Sequence, residues 1–69
     1  MKLAEVDAIV RSVIVHLGLP FSLLSVVESP PGWNIQVRSG TGAVIRFPLF
    51  DGRPVAMRVT IQERLESEF

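Results

Sequence analysis

The chain has 69 residues, no cysteine, one histidine, and seven basic side chains balanced by seven acidic ones. This length predicts a single small domain, residues 1–69, with a core of limited size. The absence of cysteine excludes disulfides and thiolate metal sites, and one histidine alone does not make a zinc site. No metal and no cofactor are therefore expected, and stability must come from close packing or from self-association.

Hydrophobic residues make up 48% of the chain, which is more than so small an interior easily covers. Such an excess typically marks an interface. We therefore expect a homo-oligomer, with a dimer favoured over larger assemblies, or contact with another protein partner. The zero net charge argues against nucleic acid, because nucleic-acid binders usually carry a basic excess.

The most apolar window, residues 8–27, is interrupted by Arg11, His16 and Pro20. No transmembrane helix and no membrane partner are therefore predicted. Charged residues near the N-terminus also interrupt any apolar secretion signal. A cytoplasmic protein is expected.

The first predicted element is an amphipathic helix over residues 2–17, ended by Gly18 and Pro20. Its apolar stripe follows the three-and-four spacing of a helix and consists of Leu3, Val6, Val10, Val13, Ile14 and Leu17. Ile9 and Val15 fall outside this stripe, which makes them candidates for contact with another subunit.

Residues 21–28 are rich in β-forming side chains and are bounded by prolines, so they predict the first strand. Its alternation is blurred, because Leu23 and Leu24 point to opposite faces and the two valines that follow do the same. A strand that is apolar on both faces is expected to be covered on both, by a helix and by a neighbouring chain. Leu23 is therefore a further candidate for self-association.

Residues 33–50 predict a β-hairpin, with two alternating runs joined by a glycine-rich turn at residues 39–42. The side chains expected to face the helices are Trp33, Ile35, Val37, Ile45, Phe47 and Leu49. Those expected on the other face are Asn34, Gln36, Arg38, Val44 and Arg46.

The last element is ambiguous. With Asp51 as N-cap and Pro54 in the first turn, a helix would extend to about residue 68 and align Met57, Ile61 and Leu65. Residues 55–62 also alternate as a fourth strand would, but the helical composition of the tail favours the helix. The predicted fold is therefore α+β with the order α-β-β-β-α, a three-stranded antiparallel meander carrying two helices on one face.

No catalytic constellation is recognisable, so the chain is not expected to be an enzyme. His16 lies near the end of the first helix, where a positive charge suits the helix dipole, and is interpreted as a structural or surface residue. Gly40-Thr41-Gly42 lies between two strands and is interpreted as a turn rather than a phosphate loop. Trp33 is interpreted as a core residue rather than a base-stacking platform.

Two sets of residues are candidates for function. The polar set is a candidate binding face for a partner chain or a phosphate backbone, with an ordinary solvated face as the alternative, and consists of Asn34, Gln36, Arg38, Arg46, Arg53 and Arg58. The apolar set is a candidate for self-association and consists of Ile9, Val15, Leu23, Val44 and Phe50.

The element order resembles the layout of the double-stranded-RNA-binding domain, over nearly the whole chain. That family meets RNA with its first helix, the loop between its first two strands and a lysine-rich start to its second helix. Here the loop at residues 29–32 has no basic residue, Arg53 and Arg58 stand in place of the lysines, and Arg11 is the one basic residue well inside the first helix. The resemblance implies duplex-RNA binding as an alternative function. The leading hypothesis is a small non-enzymatic interaction module that self-associates.

Overall fold

The computed structural model describes residues 2–68 and has the predicted α-β-β-β-α order. The elements are α1 (Leu3–Leu17), β1 (Phe21–Ser29), β2 (Gly32–Ser39), β3 (Val44–Phe50) and α2 (Pro54–Glu68). The strands form one antiparallel sheet in the order β1-β2-β3. The prediction of an α+β meander with two helices is confirmed.

The core lies between one face of the sheet, called here the inner face, and the two helices. Its most deeply buried side chains are Val6, Val10, Ile35, Val37, Phe47, Leu49, Met57, Ile61 and Leu65. Most of the predicted α1 stripe is buried, but Leu17 is half-buried and Leu3 is 49% exposed. Trp33 is a core residue, only 5% exposed. Ile45, which pairs with Val37 on the inner face, is half-buried.

The α1 helix ends as its sequence predicts. Gly18 adopts the left-handed conformation, with φ 65°, and its N–H donates to the carbonyl oxygen of Val15 at 3.2 Å. This geometry favours glycine, because a side chain at positive φ meets its own backbone. The chain then turns into β1.

The last element is a helix and not a fourth strand. Its buried residues recur every four positions, Met57, Ile61 and Leu65, whereas Val55 is 73% exposed. The predicted N-cap was wrong: α2 begins at Pro54, and the Met57 N–H donates to the carbonyl of Arg53 at 3.0 Å. Arg53 therefore immediately precedes the helix. Proline suits the first helical position, because the N–H that it lacks would have no partner within the helix.

A β-bulge explains the blurred alternation of β1. Leu23 pairs with Val37 and Ser25 with Gln36, so Leu24 is the extra residue between them. The two residues of such a bulge point to the same side, which directs Leu24 and Ser25 away from the helices. As a result, Leu23 lies on the inner face and Val27 on the other.

Candidate functional site: the outer face of the sheet

The outer face of the sheet is the side opposite the helices. Its outward positions are Ser22, Leu24, Ser25 and Val27 on β1, Asn34, Gln36 and Arg38 on β2, and Val44, Arg46, Pro48 and Phe50 on β3. Because both helices pack on the inner face, nothing else within residues 2–68 covers the outer face.

Strand pairing arranges these side chains in four cross-strand rows. The rows are Ser22–Arg38–Val44, Ser25–Gln36–Arg46, Val27–Asn34–Pro48 and Ser29–Gly32–Phe50. In the second row the Ser25 hydroxyl donates to Gln36 Oε1 at 3.3 Å, and Gln36 is half-buried. The second and third rows line a shallow depression of about 380 Å³.

The apolar residues of the outer face lie on its two edge strands. Leu24 and Val27 on β1 are 41% and 54% exposed, and Val44 and Phe50 on β3 are 45% and 66% exposed. These four make up half of the eight large hydrophobic residues that are exposed in the described chain. The central strand presents only polar side chains outward. The outer face is therefore a polar stripe flanked by two apolar margins.

The charge of the outer face is one-sided. Arg38 and Arg46 are its charged residues, and none of the outward strand positions given above is acidic. The zero net charge of the whole chain hides this local excess. Acids lie elsewhere: Glu28 and Asp51 line a depression at the end of the sheet near the β1–β2 connection.

The structure brings together four of the six predicted binding residues. Asn34, Gln36, Arg38 and Arg46 share the outer face. Arg58 lies in the helix layer, where its Nη2 donates to Ser12 Oγ of α1 at 3.0 Å. Arg53 immediately precedes α2. The predicted binding residues are therefore divided between the sheet and the helix layer.

The predicted self-association residues are divided as well. Val44 and Phe50 lie on the outer face, and Val15 is 79% exposed on α1. Ile9 and Leu23 are half-buried and pack against the core, so they are not part of the exposed apolar surface. Sequence reasoning missed Leu24 and Val27, whose orientation depends on the bulge.

Both edges of the sheet are interrupted. Proline at position 48 removes a backbone donor from β3, and the bulge at Leu24 breaks the regular backbone of β1. Such features make an edge a poor template for adding a further strand. The outer face of the sheet is therefore a better candidate for contact with another molecule than either edge.

The structure also describes the glycine-rich turn, the arrangement of potential metal ligands and the character of the two helices. Residues 40–42 form part of the β2–β3 turn, as predicted, with a 2.8 Å hydrogen bond between the hydroxyls of Ser39 and Thr41. Within residues 2–68, no cluster of three or more histidine or carboxylate side chains is placed to hold a metal ion. In the same part of the chain, neither helix has the length and apolar character needed to cross a membrane.

A scan against protein-family models, a search of curated proteins and a search of solved structures each found no match to this chain. The likeness to the double-stranded-RNA-binding domain therefore rests on element order alone.

Proposed function

We propose that this chain is a non-enzymatic interaction module that self-associates as a dimer through the outer face. One observation carries the proposal. The outer face is uncovered, yet it holds half of the large exposed hydrophobic residues of the described chain. Exposed apolar surface concentrated on one face is typical of an interaction site.

The two amides of the outer face are self-complementary. The amides of Asn34 and Gln36 each carry a donor and an acceptor, so they can pair with the same groups of a second copy. A two-fold axis brings one patch against itself, which is the arrangement of most homodimers. The apolar margins of one copy then meet those of the other, and the polar stripes meet in the middle.

The size of the face sets the expected affinity. Three strands of about eight residues span roughly 14 by 26 Å, or about 400 Å² per copy. Stable complexes usually bury about 800 Å² per partner. We therefore expect a dimer with a Kd in the micromolar range or weaker, in exchange with the monomer.

Sedimentation velocity from about 10 µM to 1 mM tests this proposal, because a small interface is expected to dissociate within that range. The variant Val27→Thr should shift the monomer–dimer equilibrium toward monomer several-fold, since it places a hydroxyl in the apolar margin. Val59→Thr is the matched control, because Val59 is 49% exposed, close to the 54% of Val27, but lies on α2. A chain that stays monomeric throughout, or an equal effect of the two variants, would contradict the proposal.

Duplex-RNA binding is a second candidate, favoured by the two arginines of the outer face and by the lack of acids among its outward positions. Fluorescence anisotropy with a short RNA duplex at low salt tests it. Replacing Arg38 and Arg46 together by alanine should weaken binding and lower the salt-dependence slope by about two. Arg64→Ala is the control, since Arg64 lies on α2 over the Phe47 ring and belongs to neither predicted set. Undetectable or salt-independent binding would remove this candidate.

A further inference from the structure

We draw no further inference here: the strongest candidate, the shallow depression of the outer face beside Arg46 together with its apolar margins, belongs to the site already described, and nothing within residues 2–68 shows what covers it.

Discussion

Both faces of the sheet carry large apolar side chains, but the helices cover only those of the inner face. On β3, Phe47 and Leu49 point inward and are 2% and 1% exposed, whereas Phe50 points outward and is 66% exposed. Burial against the helices explains the inner set, because each large apolar side chain removed from water stabilises the fold by ~1.5–3 kcal/mol. The outer set contributes little of this within one copy. Its apolar side chains are therefore left exposed by folding and are available for the contact proposed above.

The largest expected difference between the faces is at the two phenylalanines of β3. Phe47→Ala should lower the free energy of unfolding by ~3–5 kcal/mol, because it leaves a cavity in the core. Phe50→Ala should change the free energy of unfolding of the monomer by less than ~0.5 kcal/mol. Urea unfolding of dilute protein, followed by the fluorescence of the buried Trp33, measures both.

If Phe47→Ala is too unstable to fold, Phe47→Leu retains most of the volume and should still show a measurable transition, destabilised by about 1–2 kcal/mol. Similar effects of the alanine changes at positions 47 and 50 would contradict the comparison, since they would mean that the outer face is part of the monomer's core.

Replacing a valine by threonine on each face tests the same difference between the inner and outer faces. Val37 is fully buried on the inner face and Val44 is 45% exposed on the outer one. Val37→Thr should cost ~1–3 kcal/mol in the free energy of unfolding, because the new hydroxyl is buried without a prepared partner. Val44→Thr should leave the monomer's stability nearly unchanged but weaken the dimer.

Chemical denaturation at low concentration and sedimentation at high concentration separate the two effects. A strongly destabilised Val44→Thr monomer would show that the outer margin supports the fold of the single chain.

Local patterns predicted most of the fold. The three-and-four spacing in α1 and the alternation in β2 and β3 depend on residues close in sequence, so the inner face of the hairpin was confirmed residue by residue. The helix over residues 54–68 was favoured correctly because Pro54 and the polar tail agree with it.

The errors concern features set by tertiary structure. The bulge at Leu24 exists only in the pairing of β1 with β2, so the sequence could not show that Leu24 and Val27, rather than Leu23, form the exposed margin. Arg58 was placed correctly at the start of the last helix, but the sequence could not show that its side chain bonds Ser12 of α1. The N-cap of α2 was predicted two residues too early, at Asp51, because aspartate is a better capping residue than arginine by type alone.

The smallest expected effect concerns the polar stripe itself. The hydrogen bond from the Ser25 hydroxyl to Gln36 is long, 3.3 Å, and only partly buried, so water can replace it. Ser25→Ala should therefore change the free energy of unfolding of the monomer by no more than ~0.5 kcal/mol. Ser25 lies between the exposed Leu24 and Val27 on the β1 margin, where the loss of a hydroxyl should leave the proposed dimer as strong or strengthen it. A marked weakening of the dimer, measured by sedimentation, would show that this hydroxyl orients Gln36 for its contact across the interface.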